Sequence, residues 1–242
     1  MNTILCIGAT HGDEPIGVCA LQILEKRVDN FDWIIGNEKA YEQNTRCFEG
    51  DLNRSAPGIF GAPNYASRRA AEIIALAQNY KYTIDLHGTT AGTGIFTIIS
   101  RATDKNITLA MQLGIKNIII WPAINASLKG PLSEYTPCGL EIECGPKDSL
   151  EIQNELIDIL ERFIKLQMQP EINMPVAKPN CFSFYEVYSE LRKPEIAPQL
   201  SEFCEITTDN ETFFPLLIGR YQDITCYKMK RVEYVSIKIQ RD

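Results

Sequence analysis

The chain predicts an α/β fold built around a mixed sheet, and three observations carry that reading. Short apolar runs alternate with longer amphipathic ones from Met1 to about Met168. The segment from Ser149 to Leu166 repeats apolar residues at three- and four-residue intervals, as a helix docked on a sheet does. The full 242 residues, moreover, suffice for a substantial core without disulfides or structural metals.

In chain order, "TILCIGA" reads as the first strand, "EPIGVCALQILEKR" as a helix and "FDWIIG" as the next strand. "ASRRAAEIIALAQNY" follows as a helix, "YTIDLH" and "GIFTIIS" as strands, "ITLAMQLG" as a helix, and "NIIIW" and "GLEIECG" as strands. In the last helix Ile152, Leu156, Leu160, Phe163 and Ile164 form one apolar face. Ser149 is its expected N-cap, and Glu151 places a negative charge in the first turn, where the helix dipole favours it.

Pro170, Pro175 and Pro179 then exclude a continuing helix and mark a linker. Two domains are expected, a catalytic one over residues 1–168 and a small β-rich one over 174–242. The second is rich in β-branched and aromatic residues, with turn signals at "TTDNET" and "IGRYQD".

The formal net charge of −7 comes from scattered residues and argues against a nucleic-acid or anionic-membrane surface. "ILCIGA" is too short for a signal-peptide core, and no run approaches the roughly 18 apolar residues of a membrane span. Eight cysteines sit at irregular spacings with no CxxC pair, which predicts reduced, mostly buried thiols in a cytoplasmic protein. Oligomeric state is open, a homo-oligomer included.

Only two histidines occur, and both fall at predicted strand ends. His11 follows the first strand, with Glu14 three residues on, so that one helical turn presents both to a single ion. His87 closes "YTIDLH", at the carboxyl edge where ligands collect in open α/β sheets. Two imidazoles and a carboxylate leave a coordination position open for water, the pattern of catalytic zinc. Glu143 in "GLEIECGP" is the candidate base, with Glu141 on the same strand face and not separable from it by position. Asp85 shares a face with His87 and stands where a carboxylate fixes an imidazole tautomer. "NTRCFEGDLNRSAPG" offers Asn53 together with Arg46 and Arg54, and the guanidinium forks of the two arginines suit a carboxylate or an oxyanion.

"GATHGDE", "TRCFEGDLNR", "DLHGTTAGTGIFTIIS" and "EIECGP" occur in the order and approximate spacing of the aspartoacylase and succinylglutamate desuccinylase family, relatives of the zinc carboxypeptidases. The chain resembles that family over most of its length, and "DLHGTT" is closer to the aspartoacylase branch. The resemblance implies a zinc-carboxypeptidase-like domain with helices on both sheet faces and a β-rich C-terminal domain over the site. It further implies hydrolysis of a small N-acyl amino acid with one zinc ion per chain.

By this resemblance His11, Glu14 and His87 are the zinc ligands, Glu143 the catalytic base and acid, and Arg46 the group that polarises the scissile carbonyl. Asn53 and Arg54 grip a substrate carboxylate, and Tyr234 is the counterpart of a C-terminal tyrosine that reaches the substrate. Where aspartoacylases carry a second carboxylate-binding arginine, "NASLKGPLSEYTPCG" has Lys129 as its only cation. The competing expectations are a zinc carboxypeptidase or cell-wall peptide amidase with the same metal set, and a metal-binding protein without turnover.

Overall fold

The computed structural model describes residues 3–124, 128–169, 178–208, 211–219 and 223–240. Its strands are β1 (Ile4–Gly8), β2 (Asp32–Ile35), β3 (Tyr82–Gly88), β4 (Gly94–Ile99), β5 (Asn117–Ile120), β6 (Gly139–Gly145), β7 (Ser183–Leu191), β8 (Ile206–Thr208), β9 (Glu211–Leu216) and β10 (Cys226–Val232). The helices are α1 (Ile16–Leu24), α2 (Glu38–Glu42), α3 (Tyr65–Ala77), α4 (Asp104–Leu113) and α5 (Leu150–Gln167). Together the strands form one sheet in the order β2-β1-β3-β6-β4-β5-β7-β10-β9-β8.

β2, β1, β3 and β6 are mutually parallel, whereas β4 runs antiparallel to β6 and so reverses the strand sense at mid-sheet. β7 pairs parallel with β5, and β10, β9 and β8 follow as an antiparallel meander. The C-terminal strands thus continue the sheet by backbone hydrogen bonds. Of the expected linker, Pro170 and Pro175 lie outside the described residues and Pro179 opens a short 3-10 turn. Parts of both expected turns, residues 209–210 and 220–222, also lie outside them.

Every residue of β3 and β6 is buried, yet the two faces of these strands differ in chemistry. Ile84, Leu86, Leu140, Ile142 and Cys144 join the main core beneath α1, α4 and α5. The alternate residues Asp85, His87, Glu141 and Glu143 point to the other face, as the period of two requires. There α3 packs Ala70, Ile73 and Ala77 on Leu5 and Ile7, forming a second cluster. Toward the C-terminal strands a third cluster joins Phe96, Ile98, Ile119, Tyr185, Leu216, Leu217, Tyr227 and Met229. The polar strip lies between these two apolar clusters.

α5 begins as expected, with the Ser149 side chain accepting from Ile152 N–H at 3.3 Å and Glu151 in the first turn. The eight cysteines form no disulfide, and Cys6, Cys138, Cys144 and Cys226 are buried. No helix among the described residues is long and apolar enough to cross a membrane.

Candidate metal centre

β1 ends at Gly8, and Ala9 then takes a left-handed backbone, with φ of +53°, to turn the chain toward the next helix. That conformation is unfavourable for a residue with a Cβ, and the packing around it must hold it. Gly12 provides one such contact: a Cβ there would stand 2.1 Å from the backbone carbon of Ala40 in α2. The turn positions His11 and Glu14, which are buried, as is His87 at the end of β3.

Glu14 offers one oxygen to each imidazole. Its Oε1 is 3.1 Å from His11 Nδ1 and its Oε2 is 3.2 Å from His87 Nδ1. Gly88 N–H donates to Oε2 at 3.0 Å and fixes the carboxylate. One donor atom from each of His11, Glu14 and His87 lies within 4.8 Å of the others. His11 Nδ1 is buried and makes no hydrogen bond, a cost that a cation among the three donors would remove. A set of two imidazoles and one carboxylate fits a divalent transition metal.

A carboxylate stands behind each imidazole. Asp85 Oδ2 is 3.1 Å from His87 Nε2, and Asp85 Oδ1 accepts the Thr10 hydroxyl at 2.7 Å. Asp51 Oδ1 is 3.3 Å from His11 Nε2 and accepts Asn53 N–H at 2.9 Å. The hydrogen bond to Asp51 suits the His11 tautomer that leaves Nδ1 facing Glu14, whereas Asp85 stands against His87 as an ion-pair contact. Thr10 and Asp51 were not singled out from the sequence. The available sign was Asp51 immediately before "LNR", where it caps the short 3-10 turn Leu52–Arg54.

Burial by itself would lower the basicity of both histidines, but the surrounding acids reverse this. Glu14 and Asp51 hold His11 above its ordinary pKa, and Asp85, Glu14 and Glu141 hold His87 well above it. Glu14 is pushed up by burial and, more strongly, down by the two histidines, ending well below the carboxylate range. Asp51 is likewise raised by burial but drawn to about 2, first by His11 and then by Arg46 and Arg54. The pocket thus stabilises positive charge at its centre, whether proton or metal.

A cavity of about 60 Å³ adjoins these ligands and is lined by Arg46, Asn53, Arg54, Glu141 and Glu143, among others. Arg46 Nη1 lies 3.0 Å from Glu14 Oε1. Asn53 is buried, with its side-chain oxygen accepting Leu132 N–H at 3.1 Å and its Nδ2 lying 3.5 Å from Glu141 Oε2. Arg54 Nη1 donates to the Asn53 carbonyl at 2.6 Å. Both glutamates of β6 face the cavity, so the face-sharing expected of Glu141 and Glu143 is realised. Glu141 is tied down by the Ser133 hydroxyl at 3.0 Å and sits 3.8 Å from His87 Nε2.

Two expected substrate contacts lie elsewhere. Lys129 is exposed and does not line the cavity. Tyr234 is 38% exposed and borders a separate groove beside Phe184, their ring centroids 5.7 Å apart. In their place the cavity wall contains Ile98, Trp121, Leu128 and Leu217, none of which was singled out from the sequence.

A family model for the succinylglutamate desuccinylase/aspartoacylase catalytic domain matches residues 1–169. A probable aspartoacylase of Prochlorococcus marinus subsp. pastoris is 32% identical over 158 residues, covering 60% of this chain and 54% of the relative. A probable aspartoacylase of Synechococcus sp. is 31% identical over 160 residues, covering 59% and 53% respectively. The chain therefore spans about half the length of these curated relatives. Among solved structures, murine aminoacylase 3 superposes with a TM-score of 0.74 at 17% identity, covering 96% of this chain and 95% of that one. The succinylglutamate desuccinylase from Chromobacterium violaceum superposes with a TM-score of 0.72 at 17% identity, covering 97% and 86%. At such identities the likeness is one of fold, the zinc-carboxypeptidase-like arrangement.

Proposed function

The chain belongs to the succinylglutamate desuccinylase/aspartoacylase family, and on that premise we propose a zinc-dependent hydrolase that cleaves the amide bond of an N-acyl amino acid. The observation that carries this reading is one buried His-Glu-His set sharing a cavity with Glu143, Arg46, Asn53 and Arg54. His11, Glu14 and His87 would hold the zinc. When bound, the ion supplies Lewis acidity, polarising a carbonyl oxygen and lowering the pKa of water beside it.

Glu143 takes a proton from the attacking water and returns one to the departing amine, the two halves of general acid–base catalysis. Arg46, beside Glu14, donates to the oxygen on which negative charge develops. The Asn53 amide, oriented by the Leu132 N–H on its oxygen, presents its Nδ2 donors to the α-carboxylate, with the Arg54 guanidinium beside it. Asp51 hydrogen-bonds the His11 imidazole and Asp85 stands behind the His87 imidazole, both as positioning residues.

The test is metal analysis followed by a hydrolysis panel of N-acetyl, N-formyl and N-succinyl amino acids alongside short peptides. One zinc per chain with release of free amino acid is the expected result. Cleavage confined to peptides would replace the reading with a peptidase, and a zinc-loaded protein that cleaves nothing would remove the activity altogether.

A further inference from the structure

The cavity beside the ligand set is polar where it meets the histidines and glutamates and has an apolar patch on one side. Ile98, Trp121, Leu128, Pro131 and Leu217 line it beside Ser100, and among the described residues its only lining cations are Arg46 and Arg54, both already given roles at the reacting amide and the α-carboxylate. Glu141 and Glu143 line it too.

The place of the wall is fixed by strand register. Ile98 on β4 is the register partner of Glu141 on β6, and Glu141 in turn lies 3.5 Å from the Asn53 amide. The apolar wall therefore flanks the residues that hold the α-carboxylate, whereas Arg46 lies against Glu14. A substrate anchored there by its α-carboxylate would turn its amino-acid side chain toward Ile98.

Leu217 is put there by the C-terminal strands at a conformational cost. It follows β9 with φ of +55°, a left-handed backbone unusual for leucine, and is nonetheless buried. The Glu202 carboxylate secures the turn by accepting Leu217 N–H at 2.9 Å and Ile218 N–H at 2.8 Å. A backbone strained and clamped in this way marks a side chain whose position matters.

We propose that the site selects N-acyl amino acids with an uncharged, apolar side chain, which packs against Ile98, Trp121, Leu128 and Leu217. A second carboxylate, as on an acidic amino acid, would enter beside Glu141 with no third cation among the described lining residues to receive it, so acidic substrates are disfavoured. The inference rests on the deacylase reading for its choice of ligand.

Binding and turnover separate the two. The protein contains only two tryptophans, Trp33 on β2 and Trp121, so Trp33→Phe leaves Trp121 as the sole indole reporter. Zinc-loaded protein carrying Trp33→Phe and Glu143→Gln is titrated with N-acetyl-L-leucine, N-acetyl-L-phenylalanine and N-acetyl-L-aspartate. The expected result is a shift of Trp121 emission by an apolar ligand, binding at least tenfold tighter than N-acetyl-L-aspartate.

In the unsubstituted enzyme kcat/KM follows the same ranking, and Leu217→Arg narrows or reverses it in favour of N-acetyl-L-aspartate. Equal or tighter binding of the aspartate derivative overturns the inference, as does failure of every ligand to perturb Trp121. The expected binding ranking without turnover supports the inference and overturns the deacylase reading. Turnover with aspartate preferred does the opposite.

Discussion

Glu141 and Ile98 sit side by side in one register row of the sheet, yet they belong to regions with different uses. On one side β3 and β6 alternate apolar residues into the main core with Asp85, His87, Glu141 and Glu143 toward the cavity. Across the reversal, β4, β5 and the C-terminal strands turn apolar residues to that same face, where Phe96, Ile98, Ile119, Tyr185 and Leu216 pack together. The first region holds charge in a buried place and must satisfy it group by group, which is why each imidazole has its own carboxylate. The second needs only shape, and tolerates a strained leucine because one carboxylate clamps the turn. The proposed reaction chemistry and the proposed substrate choice thus fall on neighbouring but separable parts of one sheet.

The division breaks most visibly at Glu143. Glu143→Gln is expected to lower kcat by about 10²- to 10⁴-fold, the usual worth of a positioned general base, with zinc still bound. Full activity in that variant removes the proposed base. Next come the carboxylates behind the imidazoles. Asp85→Asn and Asp51→Asn should each weaken zinc binding by about 10- to 100-fold, read by competition with a chelator. Unchanged affinity in both would mean that they serve packing alone.

On the other side of the reversal the effects are smaller and of another kind. Leu217→Ala should raise KM for an apolar N-acyl amino acid while kcat changes little, at a stability cost of about 2 to 3 kcal/mol. A fall in kcat at constant KM would place Leu217 with the catalytic groups and undo the contrast.

The smallest effect is one of pH. Burial holds the Glu202 carboxyl above its ordinary pKa, even though the Leu217 and Ile218 amides pull it down. A folded pKa above the unfolded one gives a contribution that is complete below the ordinary carboxylate range and fades as pH rises through the folded value. Melting temperature should therefore decline more gently over that range in Glu202→Gln than in the parent protein, and parallel curves would refute the assignment.

The clustering of His11, Glu14 and His87 was readable from sequence because their signals are local. His11 and Glu14 are three residues apart, and His87 ends an unmistakable strand. Glu143 could not be separated from Glu141 by position, since both occupy the same face of β6; only the family motif distinguished them. Asp51 was hidden as an ordinary loop acid, because its tie to His11 spans 40 residues. The wall was less visible still. Ile98, Trp121, Leu128 and Leu217 meet through strand register and a turn held by Glu202, and an apolar residue in a strand gives no sign of which cluster it will join. Lys129 and Tyr234 show the converse, for residue type and rough position suggested contacts that loop geometry places outside the cavity.

The antiparallel entry of β4 also bears on how such a protein can diverge. His11, Glu14, His87 and Glu143 come from segments that end at the site, so inserting or deleting a residue there would shift the proposed ligands and base themselves. β4 starts at the rim with Gly94 opposite Gly145 and runs away from it, passing Ile98 alongside Glu141. Substitutions along β4, in the connection after β5 or at the turn carrying Leu217 leave the register of β3 and β6 intact. A protein so built can therefore change the pocket wall while the arrangement of His11, Glu14, His87 and Glu143 stays as it is.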